Sequence, residues 1–323
     1  MQVTMVTKFG GPEVLVPSQA PDPVAGPGQA VIDVAVADVL WVETMIRRGA
    51  GGDHFPMRPP YVPGNGVAGR VSQVGDGVDP AWLGCAVVAH TGGLGGYAQQ
   101  SVVGAEALCA VPEGVGLQQA AAVVADGATA LSLFETNSIQ SGESVLVVGA
   151  SGGLGLVSVQ LARARGARVV AVARDSRKLA RIRAIGADAV IDSEAPDWVE
   201  QARAALNGSG ADVVLDNVGG QVGRAAFAVV APGGRFSAHG TPSGQFAPID
   251  PAEAERRGVT LRGIRDVQHR DGERNRRTDQ ALAEVAARHI RPEIGQTFPL
   301  AKAADAHAAI EARTVFGKTL LLT

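Results

Sequence analysis

The chain has 323 residues, 46% of them hydrophobic and 19% charged, so it holds roughly two domains of about 100 to 200 residues each and is not intrinsically disordered. Twenty-nine Lys and Arg against 32 Asp and Glu leave a net charge of −3, with no basic excess for a nucleic-acid partner. Two cysteines, Cys85 and Cys109, exclude a disulfide framework and a four-thiolate zinc site, and suit a reducing compartment.

Met1 to Gly11 carries only Lys8 as a charge and lacks the apolar core and cleavage site of a signal peptide. The longest apolar run, Gln118 to Ala125, ends at Asp126 and is too short for a membrane span of about 20 residues. These segments predict a soluble, cytoplasmic protein. The first 110 residues alternate short apolar runs (Ala30 to Ala37, Val67 to Val74, Ala86 to Ala89, Ser101 to Val103) with Pro and Gly punctuation, which predicts a compact β-barrel. From Leu117 to Asn137, Ala and Leu recur at spacings that suit buried helices.

Beyond Gly142 the pattern predicts strands at Ser144–Val148, Arg168–Ala173, Ala189–Ile191, Val213–Leu215 and Gly234–Ala238. Helices at Leu154–Arg165, Arg177–Ile185, Trp198–Leu206 and Val222–Val230 separate them. Continuous apolar strands between amphipathic helices imply an α/β domain, a doubly wound parallel sheet covered on both faces. The block Glu253 to Arg277, with eight arginines and five acidic residues, reads as a solvated loop placed to form a mobile rim over an active site. Within it, Val259 to Gly263 reads as a sheet edge. Helices at Gln280–Arg288 and Ala303–Ala312 and a strand at Thr319–Leu322 return to the first domain. The expected division is 1–125 completed by 264–323, with 126–263 as the second domain.

The strongest local signal is Val145-Leu-Val-Val-Gly-Ala-Ser-Gly-Gly-Leu-Gly155, an apolar strand that runs into a glycine turn opening a helix. Gly152 lets the backbone approach a pyrophosphate, Gly155 lets helix and strand pack closely, and the helix N-terminus supplies free N–H groups. Ala150, Ser151, Gly153 and Leu154 complete the turn, Ala150 standing in for the first glycine of G-x-G-x-x-G. The second strand ends in Ala173, where NAD-specific sites carry an acidic residue, and Arg174, Arg177 and Lys178 follow, with Asp175 among them. The pattern favours NADP(H) over NAD(H), although Arg177 and Lys178 also fit the solvated face of the next helix.

With a barrel first, a nucleotide domain second and a returning tail, the chain resembles the medium-chain dehydrogenase/reductase superfamily over nearly its whole length. Several stretches resemble its zinc-independent quinone oxidoreductases, the zeta-crystallin-like branch: Phe9-Gly-Gly-Pro-Glu-Val-Leu15, Ile46-Arg-Arg-Gly49, Val62-Pro-Gly64, Gly92 to Ala98, Gly127-Ala-Thr-Ala-Leu131, Gly149 to Gly155, Asp216-Asn-Val-Gly-Gly220 and Gly317-Lys318. The resemblance implies a GroES-like β-barrel catalytic domain and a Rossmann domain that binds NADPH. It also implies that Thr129 lies near the nicotinamide, that Asn217, Val218 and Gly219 form a loop beneath the cofactor, and that His239, Gly240 and Thr241 form the loop after the sixth strand. Lys318 resembles a cofactor-side lysine. Zinc-dependent relatives carry a cysteine in the segment matching Asp38 to Glu43 and Gly-His-Glu where this chain reads Gly64-Asn65-Gly66, so no metal is expected. His54 and His90 read as surface or loop histidines.

Quinone oxidoreductases often read Val-Asn-x-x-Asp where this chain has Val39-Leu40-Trp41-Val42-Glu43. The expected substrate pocket is therefore apolar, lined by Leu40, Trp41 and Met45, with Glu43, Tyr61 and Phe55 nearby, and suited to a planar quinone or conjugated enone. Trp41 and Met45 serve equally well as barrel core. No catalytic acid is identified; Tyr61, His239, Glu43 and solvent are the candidates. The expectation is an NADPH-dependent, zinc-independent homodimeric oxidoreductase that passes hydride to quinones or other conjugated carbonyls. Two alternatives stay open: an enoyl-thioester or enone reductase of lipid or polyketide metabolism, and an NADPH-binding protein without turnover.

Overall fold

The computed structural model describes residues 1–52, 55–267 and 272–323, so His54 lies outside the described residues. In chain order the elements are β1 (Gln2–Val6), β2 (Leu15–Gln19), β3 (Gln29–Val39), α1 (Trp41–Arg47), β4 (Gly66–Val74), β5 (Ala86–His90), β6 (Gln100–Gly104), β7 (Leu108–Ala110), α2 (Leu117–Val124) and α3 (Asp126–Thr136). An alternating stretch follows: β8 (Ser144–Val148), α4 (Gly153–Ala164), β9 (Arg168–Ala173), α5 (Ser176–Ile185), β10 (Ala189–Asp192), α6 (Trp198–Ala205), β11 (Ala211–Asp216), α7 (Gly220–Phe227) and β12 (Val230–Ala238). The chain continues through α8 (Pro251–Arg256), β13 (Thr260–Gly263), α9 (Ile264–Val267), α10 (Glu273–Ala286), β14 (Ile294–Pro299), α11 (Ala303–Glu311) and β15 (Lys318–Leu322).

Two compact units form, one from Met1–Ala128, Thr278–Ala287 and Pro292–Thr323, the other from Thr129–Arg277 and Arg288–Arg291. In the first, the long strand β3 organises a sheet of order β14-β15-β3-β4-β5-β7, with β6 also paired to β3. β3 is almost wholly apolar and buried on both faces, and its pairing with β4 shifts register beside Val34. Gly69 sits opposite that strand with no room for a Cβ, which would overlap the Asp33 carbonyl, so the close approach requires glycine.

The second unit is built on six parallel strands in the order β10-β9-β8-β11-β12-β13. Taken from β8, this is the 3-2-1-4-5-6 order of a doubly wound sheet, and its strand order reverses between β8 and β11. Val145, Leu146, Val147 and Val148 are completely buried, as a strand with helices on both faces must be.

The Glu253–Arg277 segment is not a solvated loop in its described part. Asp250 caps α8 by accepting from Ala252 N–H at 3.0 Å, Ala254 and Val259 enter the core, and β13 pairs with β12 through Thr260 to Gly263. Most of the charges lie on the outer faces of helices, although Arg277 is buried and paired with Glu135 and Glu273. Two other bounds differ: α7 ends at Phe227 because β12 already begins at Val230, and α10 starts at Glu273, well before Gln280.

Phe227 anchors this core. It is fully buried, meets Phe236 edge-on at 5.5 Å, and carries the Arg257 and Arg224 guanidinium groups 4.7 and 5.6 Å from its ring centre. Phe227→Ala should destabilise the protein by about 3 to 5 kcal/mol, read as a lower denaturant midpoint in guanidinium chloride.

Candidate active site

The β8–α4 turn is shaped by two glycines. Gly149 takes φ +73°, and a Cβ on Gly155 would lie 2.5 Å from the Gly149 carbonyl oxygen and 2.7 Å from Ala150 Cα. Gly149, rather than position 150, thus makes the left-handed turn, and buried Ala150 is tolerated because its own backbone needs no such freedom. Gly152 is exposed and opens α4 with no side-chain cap, so the Gly153, Leu154 and Gly155 amides of the first turn face outward without an intrahelical acceptor. Ser151 sits half-buried beside them. This cradle fits a pyrophosphate.

At the end of β9, Arg174 is exposed and pairs only distantly, at 4.0 Å, with Glu194. Asp175 caps α5, accepting from Arg177 N–H at 3.0 Å from a left-handed φ of 74°, and also meets the Arg177 guanidinium at 3.5 Å. Asp175 is thus held by Arg177, whose side chain is 91% exposed. Partial burial holds Lys178 below the usual lysine range, against the pull of Asp175.

At the carboxyl ends of β11 and β12, Asp216 Oδ1 accepts from Val218 and Gly219 N–H, each at 2.9 Å, which fixes the turn ahead of α7. Burial raises the Asp216 carboxyl above its ordinary range against these two bonds. Asn217 reaches His239 at 2.9 Å, and Gly240 N–H donates to the Asp216 carbonyl at 2.9 Å. Thr241 follows, half-buried.

In the first unit, α1 is turned inside out. Glu43, Thr44, Ile46 and Arg47 are buried, whereas Leu40, Trp41 and Met45 are half-exposed. Trp41 and Met45 are thus not barrel core. Glu43 explains the inversion: its carboxylate accepts from Leu40 N–H at 2.9 Å, Asn65 N–H at 2.8 Å and the Tyr97 hydroxyl at 2.8 Å. Tyr97 in turn faces His307 Nε2 at 3.0 Å, and Arg47 pairs with Glu311, which also holds Arg48 at 2.8 Å. The Tyr61 hydroxyl lies out of solvent, with its pKa pushed up to about 12 by burial. Arg313 stands 5.8 Å over the Trp41 ring, and Phe55 is 40% exposed.

Lys318 is 5% exposed, with Nζ 2.7 Å from Asp38 and 2.9 Å from Asp126. Burial raises Asp38 against the pull of Lys318, with Asp126 adding to the rise. Thr129 stands half-buried on α3, beyond Asp126.

Comparison with known proteins places this geometry. The family model for the alcohol dehydrogenase GroES-like domain matches residues 26–133, and that for zinc-binding dehydrogenase matches residues 153–283. The quinone oxidoreductase of Rattus norvegicus is 30% identical over 327 residues, covering 100% of this chain and 98% of that protein. A 2-haloacrylate reductase of Burkholderia sp. is 29% identical, covering 100% and 99%. The crystal structure of Escherichia coli quinone oxidoreductase complexed with NADPH superposes with a TM-score of 0.92 at 26% identity, covering all of both chains. The chain belongs to the quinone oxidoreductases of the medium-chain dehydrogenase/reductase superfamily. It is an oxidoreductase with the superfamily's GroES-like domain and Rossmann-like sheet.

Against the zinc-dependent members of that superfamily, the residue types matter. Asn65 stands where those members carry a histidine ligand, and here its backbone N–H donates to Glu43 instead. Among the described residues, no group of three or more His, Cys, Asp or Glu side chains gathers to hold a metal ion. His90 is not a loop residue; it ends β5, with Nδ1 3.5 Å from Asn65 Nδ2. Among the described residues no helix is long and apolar enough to cross a membrane.

Sequence reasoning missed Tyr97, His307, Asp38 and Asp126. Tyr97 and His307 lie far from Glu43 in sequence and belong to no short motif. Asp38 and Asp126 carried a visible signal, since an acid in an otherwise apolar strand or helix start needs a buried partner.

Burial holds His239 down to about 4 and His307 down to about 3, whereas the unfolded chain titrates near 6.5. The unfolded state therefore takes up these protons first as pH falls, so the stability held above pH 6.5 is lost below it. Each histidine should cost about 2 kcal/mol by pH 5. The stability gap between wild type and His307→Gln should narrow by that amount between pH 7 and pH 5 in urea titrations.

Proposed function

We propose that the protein is a zinc-independent NADPH:quinone reductase, with Leu40, Trp41 and Met45 as acceptor contacts. The observation that carries this reading is the inverted helix α1, which keeps its charges inside and leaves an indole and a thioether half-exposed. Such a wall favours a flat, apolar, conjugated acceptor through stacking and area burial. NADPH supplies the hydride. The uncapped α4 amides and Gly152 receive its pyrophosphate, and Arg174 its 2′-phosphate. Thr129, Asn217 to Gly219 and His239 to Thr241 are the proposed contacts of its nicotinamide half. Lys318, held between Asp38 and Asp126, acts through these carboxylates rather than as a free cation.

Proton supply supports the same acceptor class. The Tyr61 hydroxyl is out of solvent, Glu43 already accepts three hydrogen bonds, and both ring nitrogens of His239 are engaged. Solvent is left as the proton donor, which suffices for a hydroquinone anion or a stabilised enolate. An unactivated ketone needs a metal or acid to polarise its carbonyl. The 2-haloacrylate reductase among the relatives favours a second reading, reduction of an activated conjugated acid or enone. We further propose a homodimer joined edge to edge, because β13 ends the six-stranded sheet; sedimentation at twice the monomer mass is the expected result, and a monomer would refute it.

The decisive experiment supplies NADPH or NADH to chelator-treated protein with a benzoquinone, a naphthoquinone, a linear enone and an enoyl thioester. Turnover of quinones with NADPH is expected. Preference for the enone or thioester would move the protein to the enone reductases, and binding without turnover would leave a cofactor-binding protein. Arg174→Ala should raise the KM for NADPH about tenfold or more and leave that for NADH unchanged, as loss of a charge-assisted phosphate contact predicts. An equal change for both cofactors would remove Arg174 from the site.

A further inference from the structure

Two side chains bind three strand ends together at the carboxyl edge of the parallel sheet. Asn217, just after β11, donates from Nδ2 to the Val148 carbonyl at the end of β8, 2.8 Å away. Its Oδ1 lies 2.9 Å from Nε2 of His239, just after β12. The Val148 carbonyl only accepts, so the amide has one workable orientation, and Oδ1, also only an acceptor, requires the proton on His239 Nε2. Nδ1 is then the acceptor for the Ser237 hydroxyl at 3.2 Å. His239 is a neutral donor locked in one tautomer, and burial keeps it uncharged at any pH near neutrality.

The seam it closes has no slack. A Cβ on Gly240 would overlap the Asn217 backbone, and one on Gly219 would overlap the Gly240 carbonyl. The backbone of the 217–219 loop is therefore set partly by a side chain from the next strand. Strand order gives this seam its meaning. β9, which ends at Ala173 just before Arg174, lies on one side of the β8 turn, and β11 and β12 lie on the other. A dinucleotide across the switch point puts its adenosine half over β9 and its nicotinamide half over β11 and β12.

We propose that His239 is a positioning residue for the nicotinamide half of NADPH, its Nε2–H fixing the Asn217 amide and with it the 217–219 backbone against which the ring rests. The inference rests on the NADPH reading above and deepens it. The adenosine half, held by the β8–α4 turn and Arg174, does not depend on His239.

The test titrates wild type, His239→Ala and His239→Gln with NADPH, followed by nicotinamide fluorescence, and with adenosine 2′,5′-bisphosphate, followed by calorimetry. His239→Ala should weaken NADPH about tenfold, as loss of one buried hydrogen bond implies, and leave the bisphosphate within about twofold of wild type. His239→Gln, whose amide donates at similar reach, should recover most of the NADPH affinity. Equal weakening of both ligands, unchanged NADPH affinity in His239→Ala, or no recovery in His239→Gln would each overturn the proposal. Wild type that binds neither ligand would overturn the cofactor reading itself, and this inference with it.

Discussion

A carboxylate taken out of water has to collect hydrogen-bond donors, and the first unit is arranged around that demand at Glu43. Three segments distant in sequence send it a donor: Leu40 at the start of α1, Asn65 ahead of β4 and Tyr97 ahead of β6. Stripping such a group of its partners costs several kcal/mol, so the three segments are held in one relation to each other. With the polar residues of α1 drawn inward, Leu40, Trp41 and Met45 are left on the other side. The apolar wall is thus a by-product of where the charge is satisfied.

The second unit uses backbone at one turn and side chains at the next. Gly149 and Gly155 bring strand and helix together and leave the amides of the first turn of α4 uncapped. Asp216 turns the chain into α7 with two backbone bonds, and Asn217 and His239 join neighbouring strand ends. The uncapped α4 amides are peptide groups, which are always present and cannot titrate, whereas the 217–219 loop is placed by the side chains of Asp216, Asn217 and His239.

This contrast decides how much the sequence disclosed. The glycine turn and the alternation of strands and helices were legible because both are local: period, punctuation and spacing carry them within a few residues. Element bounds held to within a residue or two from β8 to β11. Glu253 to Arg277 misled because charge density was read as an unstructured loop, whereas Ala254 and Val259 tie the segment to the core and β13 pairs with β12. Trp41 and Met45 stayed ambiguous because their exposure depends on Glu43 meeting Tyr97, a contact between distant residues that no periodicity encodes. Lys318 was legible as a motif but not as the centre of an ion triad, since its partners lie near positions 38 and 126.

That triad also bears on the order in which the protein assembles during synthesis. Asp38 and Asp126 emerge from the ribosome long before Lys318, which opens the last strand, β15. Until then the two carboxylates lack their ammonium and the Val36–Val39 end of β3 lacks its neighbour on one side. The parallel-sheet unit, drawn almost wholly from residues 129–277, has no such wait. In chain order, the parallel-sheet unit can fold before Lys318 reaches its two carboxylates.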